Sequence, residues 1–184
     1  QTIFADPRIT YVHCEPMGTG DAVARGLSQV TAENVLIAQA DDSYFYRQDT
    51  LQEVLKQHES TQADFTLGIV RVEEPMAYAS VESDDDLRLV VLRKTPQDLQ
   101  LPPPKDVVAG LYAARRCWLE KQLPRVPANS KGEISLPPVI DYGLQERARI
   151  FVFYIPENEW YGVNTPQELE RAAGLLNKKV DFSG

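Results

Sequence analysis

The sequence predicts an α/β domain, in which helices cover both faces of a mostly parallel β-sheet. A continuous apolar run at 35–38 and a largely apolar segment at 63–72 are typical of strands buried on both faces of such a sheet. Between them, Leu51, Val54 and Leu55 repeat at helical spacing, so strands and helices alternate along the chain. Ligands of these sheets bind beyond the carboxyl ends of the strands, and we expect the functional site there.

Shorter patterns predict the remaining elements. Residues 83–86 are typical of a hairpin turn, and Thr165 with Glu168 forms a capping box ahead of the last helix. Apolar, β-branched or aromatic runs predict strands at 9–14, 35–40, 63–72, 78–82, 87–93, 107–112 and 150–155. Helical spacing predicts helices at 20–30, 48–58, 135–147 and 166–176. We expect a single domain over 1–184 that carries an antiparallel insertion at about 75–115.

Composition argues against several classes of protein. A formal net charge of −8 is unfavourable for a nucleic-acid surface, which requires clustered Lys and Arg. No apolar run approaches the length of a membrane span, and residues 1–6 lack the pattern of a signal peptide. Cys14 and Cys117 have neither metal-ligand spacing nor a disulfide framework, so we expect two buried, reduced thiols in a cytoplasmic protein.

Polar residues follow two of the predicted strands. Asp41 and Asp42 come directly after the strand at 35–40, and Asn164 lies just before the last helix. A carboxylate at the end of a buried strand is well placed to hold Mg²⁺, which takes few protein oxygens and completes its shell with water and phosphate. Asp is also a common helix cap, and for Asp41 taken alone this is the simpler interpretation.

Four further positions allow both a functional and a simpler interpretation. Gly18 and Thr19 precede the first helix, where glycine and free N–H groups admit a ligand close to the backbone, but a tight turn explains them equally. Lys94 could contact a phosphate or be a solvated cation. Glu133 could contact a ligand or stabilise the start of a helix. His13 is interpreted as a strand residue.

Taken in chain order, six motifs resemble the sugar-phosphate nucleotidyltransferases, which include thymidylyl-, uridylyl- and guanylyltransferases acting on sugar 1-phosphates. The resemblance runs from about residue 9 to 176, although no single motif is specific. The motifs are P-M-G-T-G-D-A-V, V-L-I-A-Q-A-D-D, R-K-T-P, V-A-G-L-Y, K-G-E-I-S-L and W-Y-G-V-N-T-P-Q-E-L. The resemblance implies a Rossmann-like fold and an attack by a sugar 1-phosphate on the α-phosphorus of an NTP, with pyrophosphate leaving.

The resemblance also implies a role for single residues. It implies that the nucleotide is bound by His13, Gly18 and Thr19. The sugar and its phosphate would be bound by Lys94, Ala109, Gly110 and Glu133. The Mg²⁺ ion would be bound by Asp41 and Asn164. Many members take the second metal ligand from the Asp of a Trp-x-Asp motif, but this chain has Trp160-Tyr161-Gly162, so a glycine stands at the position of that Asp. The acetylglucosamine branch instead uses the Asn of Gly-Val-Asn, and Asn164 matches that pattern.

The chain also departs from the family. The Gly-rich triphosphate loop, with the first strand and helix, has no counterpart in this sequence, so we expect the C-terminal portion of a longer enzyme with little activity alone. His13 stands where a base-reading glutamine is usual, Arg93 replaces an acidic residue, and Ala79 stands where Tyr-Gly is usual. The identity of the nucleotide base and of the sugar is therefore left open.

The expected partners are an NTP and a sugar 1-phosphate, and homo-oligomerisation is left open. One alternative is a non-catalytic module of the same fold that binds sugar nucleotides or regulates assembly, which the residues Arg93, Val108 and Gly162 favour. A second is a transferase for another phosphorylated alcohol, such as phosphocholine. An aromatic box would support that reaction, but core packing is the simpler role of the available rings, which are Tyr112, Trp118 and Trp160.

Overall fold

The structure, a computed structural model, describes residues 6–42, 45–73, 79–93 and 104–180, with side chains up to residue 176. Its strands are β1 (Asn34–Ala38), β2 (Phe65–Val72), β3 (Ser80–Ser83), β4 (Leu89–Arg93), β5 (Lys105–Arg115) and β6 (Ile150–Tyr154). Its helices are α1 (Thr19–Leu27), α2 (Gln48–Ser60), α3 (Arg116–Gln122), α4 (Pro138–Gln145) and α5 (Pro166–Val180). Short 3-10 turns lie at Leu123–Arg125 and Glu157–Glu159.

The central strand, β5, determines how the other strands are arranged. β2 pairs along the whole of one edge of β5 in antiparallel orientation. The opposite edge is shared, because β1 pairs with the C-terminal half of β5 and β3 pairs near its N-terminal end, both antiparallel. β6 joins the sheet parallel to β2, and β4 joins it antiparallel to β3.

The α/β class is confirmed, but the pairing is not mostly parallel in the strands described. β1, β2, β3 and β6 do run in one direction; β5 runs against them and lies between them, so only the β2–β6 pairing is parallel. Apolar runs indicate burial and carry no information about strand direction. β3 and β4 form the expected antiparallel hairpin, whereas residues 105–115, expected to end the insertion, supply the central strand.

Helices cover both faces of the sheet, as the sequence predicts. On one face, Leu67 of β2 packs in a cluster with Leu27 of α1 and Ile140 of α4. On the other face, Val70 of β2 packs in a separate cluster with Val54 of α2. Each fully buried side chain of this size contributes roughly 1.5–3 kcal/mol. The two clusters therefore hold the sheet from both sides and fix the loops at its edges.

Most helices and strands lie close to their predicted positions, and the capping box is present. The Thr165 N–H donates to Glu168 Oε2 at 2.8 Å, and the Glu168 N–H donates to Thr165 Oγ1 at 3.2 Å. Helix α3 was not expected, because no Gly or Pro separates it from β5 in the sequence. No helix in the described ranges combines the length and hydropathy needed to cross a bilayer.

Two predictions about the N-terminal part are wrong. The predicted strand at 9–14 is absent: these residues form no strand, and Ile9 and Tyr11 are 47% and 45% exposed. β-branched and aromatic residues form a strand only where another strand pairs with them, and none of the described strands does so. Cys14 lies in this exposed segment, and Cys117 in α3 is exposed as well, so neither is a buried thiol.

A buried histidine links α2 to the sheet. His58 is 1% exposed, and its Nδ1 lies 2.9 Å from Thr66 Oγ1 in β2. Its Nε2 has no hydrogen-bond partner in the described part of the chain. Burial, followed by the positive charge of Arg115, lowers the pKa of His58 below its ordinary value of 6.5. The folded protein therefore holds His58 in its neutral form.

We predict that His58 makes the fold less stable in weak acid. Because its pKa is lower in the folded than in the unfolded chain, its contribution is complete above about pH 6.5 and is lost as the pH falls through the folded pKa. The free energy of unfolding of wild type, measured in urea from pH 8 to pH 5, should fall relative to that of H58Q. Other titrating groups are common to both proteins, so parallel curves would contradict this role.

Candidate active site

The site lies where β1 and β3 approach each other along one edge of β5. Just after β1, the Gln39 N–H donates to the Gly110 carbonyl at 2.9 Å. Just before β3, the Val108 N–H donates to the Ala79 carbonyl at 2.9 Å. β1 therefore ends close to Gly110 of β5, and β3 begins close to Val108, two residues away on the same edge. Their divergence leaves an opening at the carboxyl end of β1, the position where open α/β sheets bind ligands.

The loop after β1 is held by hydrogen bonds to the segment before α5. The Val163 N–H donates to the Asp41 carbonyl at 2.9 Å, next to Asn164. The Arg47 N–H donates to Glu159 Oε2 at 2.9 Å, and this glutamate is 4% exposed. These contacts bring Asp41 and Asn164, which are far apart in sequence, to the same side of the sheet.

Two cavities flank Asp41. Cavity I has a volume of about 260 Å³ and lies against α1; its lining includes Thr19, Ala22, Val23, Ile37 and Leu136. Cavity II has a volume of about 270 Å³ and lies over β5. The polar residues that line it are Gln39, Asp41, Asp42, Tyr112 and Asn164, and the others include Gly110, Val108, Leu92, Pro137 and Ile140. Gln39 and Asp41 line both cavities and so form the boundary between them.

Asp42 is the buried member of the aspartate pair. It is 8% exposed, and its carboxylate lies against Gly110, whose φ of +68° is a conformation that favours glycine. A Cβ at Gly110 would lie 2.5 Å from Asp42 Oδ2. Burial, followed by the charge of Asp41, raises the pKa of Asp42 to about 6. Burial and then Asp42 raise the pKa of Tyr112. Glycine at 110 therefore makes room for a carboxylate on the floor of cavity II.

The Gly18-Thr19 turn is tied to the segment before α4. Gly18 has a φ of +99°, and a Cβ there would lie 2.4 Å from the Ile134 carbonyl oxygen. Thr19 Oγ1 accepts a hydrogen bond from the Leu136 N–H at 3.0 Å, and the Gly20 N–H donates to the Ile134 carbonyl at 2.8 Å. The turn thus positions α1 as one wall of cavity I, with Thr19 in its lining.

The structure brings together some of the sequence-predicted residues and not others. Asp41, Gly110 and Asn164 line cavity II, and Thr19 lines cavity I. His13 is exposed and lines neither cavity. Four predicted residues remain. Gly18 lies in the turn before α1 and is not in the lining of either cavity, and Ala109 is buried on the opposite face of the sheet. Glu133 accepts a hydrogen bond from Asn129 Nδ2 at 3.0 Å in a neighbouring turn, and Lys94 lies outside the described residues.

The lining of cavity II includes Gln39, which the sequence analysis did not single out, and Tyr112, which it considered only as a ring of an aromatic box. Sequence reasoning also selected Asp41 as the metal ligand without a role for Asp42. The signal for Asp42 was present, because two consecutive aspartates follow a buried strand. Tyr112 lies within an apolar run, where only the pairing of β5 reveals which side chains face the cavity. Gln39 gave no signal, since a polar residue at a strand end is common.

The donor set fits a hard divalent cation. Asp41 and Asn164 present a carboxylate and an amide oxygen to one cavity, and Mg²⁺ takes one or two such ligands with water and phosphate. The neighbouring carboxylate of Asp42 adds negative charge to the same wall. The described ranges contain no cluster of three or more His, Cys, Asp or Glu side chains with metal-ligand geometry. A cation held by Asp41 and Asn164 would complete its shell with water or phosphate oxygens.

The aromatic rings do not form a binding box. Tyr112 and Trp118 both pack on Phe65, with ring centroids 5.5 and 5.7 Å from that of Phe65. Trp160 belongs to the cluster on the opposite face of the sheet. These rings pack in the core, which is the simpler of the two roles expected from the sequence.

A third cavity, of about 460 Å³, lies along β3 and contains none of the sequence-predicted site residues. Four of its charged side chains form ion pairs: Arg93 with Glu82 at 2.5 Å, and Arg71 with Asp106 at 3.5 Å. Because it contains none of the predicted residues, this cavity is a weaker candidate than cavities I and II.

Comparison with known proteins identifies several similar sequences and structures. The family profile described as nucleotidyl transferase matches residues 7–179. The bifunctional protein GlmU of Mycobacterium marinum is 25% identical over 170 residues, which cover 90% of this chain and 35% of that protein. GlmU of Desulfotalea psychrophila is 29% identical over 190 residues, covering 98% of this chain and 56% of that protein.

Two further relatives have different names. The mannose-1-phosphate guanylyltransferase of Mycobacterium tuberculosis is 26% identical over 175 residues, covering 94% of this chain and 45% of that protein. The crystal structure of HddC from Yersinia pseudotuberculosis superposes with a TM-score of 0.63 at 15% identity, over 89% of this chain and 64% of HddC. HddC has also been solved in complex with GMP-PN. The chain thus spans about a third to a little over half of these curated relatives.

We predict that the turn at Gly18 cannot accept a side chain. G18A would place a Cβ against the Ile134 carbonyl in a left-handed conformation, and should lower the free energy of unfolding by about 1–3 kcal/mol. G26A is the matched control in the same helix, since a Cβ there meets nothing within 4 Å. It should raise stability by about 0.5–1 kcal/mol. Equal effects of the two variants in urea denaturation would contradict this role of the turn.

Proposed function

Because the chain belongs to the nucleotidyl transferase family, we propose that it carries the substrate-binding part of a sugar-phosphate nucleotidyltransferase. In this reaction a phosphate oxygen of a sugar 1-phosphate attacks the α-phosphorus of an NTP, so an NDP-sugar forms and pyrophosphate leaves. The observation that carries the proposal is the position of Asp41 on the boundary between two cavities. A metal-binding carboxylate is required where the two substrates meet.

Each cavity is assigned to one substrate. Cavity I receives the nucleotide, because it lies between α1, with Thr19 in its lining, and the end of β1 at Asp41. Cavity II, over Gly110 and Tyr112, receives the sugar. The phosphates of both substrates then meet beside Asp41. This juxtaposition supplies the positioning that phosphoryl-type transfers need more than covalent catalysis.

Asp41 and Asn164 would hold the Mg²⁺ ion, which supplies charge neutralisation for the phosphates when bound. The hydrogen bond from the Val163 N–H to the Asp41 carbonyl keeps the two ligands together. Lys94 is proposed to contact the sugar phosphate, and His13 stays a candidate for contact with the base. The reaction is placed in the cytoplasm, where NTPs are available.

A second candidate is a non-catalytic sugar-nucleotide-binding module of the same fold. The observation that favours it is that no lysine or arginine is among the described residues lining cavities I and II. A departing pyrophosphate needs such cations or an equivalent charge. The two candidates differ in turnover: a module binds an NDP-sugar but neither forms it from an NTP nor cleaves it with pyrophosphate.

We predict that D41N weakens metal binding and metal-dependent nucleotide binding. Loss of a charged ligand should reduce Mn²⁺ affinity, followed by the paramagnetic resonance of free Mn²⁺, by about tenfold or more. D49N removes one carboxylate from α2 outside both cavities and should leave Mn²⁺ affinity unchanged. Binding of GTP, UTP and dTTP in the presence of Mn²⁺ would be measured by calorimetry on both variants.

Two results would contradict the proposed function. One is that wild-type chain binds neither an NTP nor an NDP-sugar with Mn²⁺ present. The other is that D41N and D49N bind Mn²⁺ equally well, which would remove Asp41 from the metal site. Pyrophosphate release by the full-length protein from a panel of NTPs and sugar 1-phosphates then separates the enzyme from the non-catalytic module.

A further inference from the structure

Two polar groups on the wall of cavity II have no hydrogen-bond partner in the described part of the protein. Asp42 is 8% exposed, and its backbone N–H donates a hydrogen bond to the Gln39 carbonyl at 3.1 Å. Its carboxylate accepts no hydrogen bond from the described residues. Tyr112 is 4% exposed, and its hydroxyl makes no hydrogen bond to any described residue. Burying a carboxylate without a partner is unfavourable, so such a group is expected where a ligand completes it.

The pair is directed at the ligand of cavity II rather than at the nucleotide. Asp41 lines both cavities, but Asp42 and Tyr112 line cavity II alone. The Asp42 carboxylate is seated against Gly110, on the side of β5 that forms the floor of this cavity. Asp42 is therefore turned away from cavity I, where the Gly18-Thr19 turn lies.

The chemistry of the two groups is complementary. A carboxylate only accepts hydrogen bonds, whereas a phenol hydroxyl donates one. A single ring hydroxyl of a sugar can donate to Asp42 and accept from Tyr112 at the same time. A quaternary ammonium such as that of phosphocholine could satisfy Asp42 but not the Tyr112 hydroxyl. The Tyr112 ring cannot act as a cation-binding face either, because the residue is buried and its ring packs on Phe65.

We propose that Asp42 and Tyr112 together recognise a ring hydroxyl of the sugar in cavity II. This assigns a specificity-determining pair to the acceptor and rests on the proposed function. Asp42 is a sugar ligand in this account, and Asp41 alone of the two aspartates binds metal. The pair selects a phosphorylated sugar with a free hydroxyl at the contacted position over one that is deoxygenated there.

The test compares D42N and Y112F, which preserve side-chain size, with wild type by calorimetry. GDP-mannose, UDP-N-acetylglucosamine and dTDP-glucose are the probes, each with Mn²⁺. For the NDP-sugar that wild type binds most tightly, each variant should lose about tenfold or more in affinity, because Y112F loses a hydrogen-bond donor and D42N loses the charge that strengthens the hydrogen bond to the acceptor. The affinity of Y112F for Mn²⁺ and for the corresponding NTP should stay within about twofold, and D42N should lose clearly less Mn²⁺ affinity than the loss of about tenfold or more expected for D41N.

Matched controls come from elsewhere in the chain. D49N removes an exposed carboxylate, and Y154F removes a hydroxyl that donates to Asp106 Oδ2 at 2.7 Å outside cavities I and II. Both should bind the NDP-sugar as wild type does. Deoxy analogues identify the contacted hydroxyl: its removal should weaken binding to wild type but cause no further loss in the double variant D42N/Y112F.

The outcomes separate the inference from the function on which it rests. If wild type binds an NDP-sugar and both variants bind it equally well, the inference fails while the proposed function stands. A tenfold loss of Mn²⁺ affinity in D42N would make Asp42 a metal ligand and overturn the inference. Competition by phosphocholine but by no sugar 1-phosphate would overturn it as well. If wild type binds neither NTP nor NDP-sugar, both the proposed function and the inference fail.

Discussion

The geometry of the site depends on the sharing of one edge of β5 by two strands. β1 and β3 both pair antiparallel with this edge, so the end of β1 and the beginning of β3 approach each other. Two strands cannot continue along the same edge, and the chain must leave the sheet where they meet. The Asp41-Asp42 loop departs at this point, and Gly110 of β5, with its positive φ, makes the space into which Asp42 is directed. Cavity II follows from this strand arrangement.

The same arrangement explains how the site can be rigid and yet contain unfavourable groups. The buried clusters on both faces of the sheet fix β5, and hydrogen bonds from Val163 and Arg47 hold the loop after β1. Within this frame, an unpartnered Asp42 has its pKa raised to about 6 by burial, with a contribution from Asp41. Groups of this kind lower stability and persist where the surrounding structure enforces them. Such a balance is typical of a site prepared for a ligand.

The sequence predicts what depends on local patterns. The buried run of β2 and the capping box of Thr165 both have local causes and are found close to where they are expected. Strand direction and pairing depend on distant residues, so the central position of β5 could not be predicted from its own composition. The segment at 9–14 has the composition of a strand but no described partner.

The residues of the candidate site also separate into those that local patterns predict and those that only the fold brings together. Asp41 and Asn164 could be predicted to lie together because they follow or precede regular elements in a recognisable order of motifs, and both line cavity II. Tyr112 could not, because its role depends on which face of β5 borders the cavity. The lack of a partner for Asp42 is equally a property of the fold, since a hydrogen bond requires residues that only the fold brings together.

A crystal structure of the chain with Mn²⁺ and the NDP-sugar that it binds tests the central claim most directly. We expect the anomalous signal of manganese between cavities I and II, within coordination distance of Asp41 and Asn164. The base should lie beside Thr19 and the sugar over Gly110. Manganese bound away from Asp41, or a nucleotide in the third cavity near Arg71, would contradict the account.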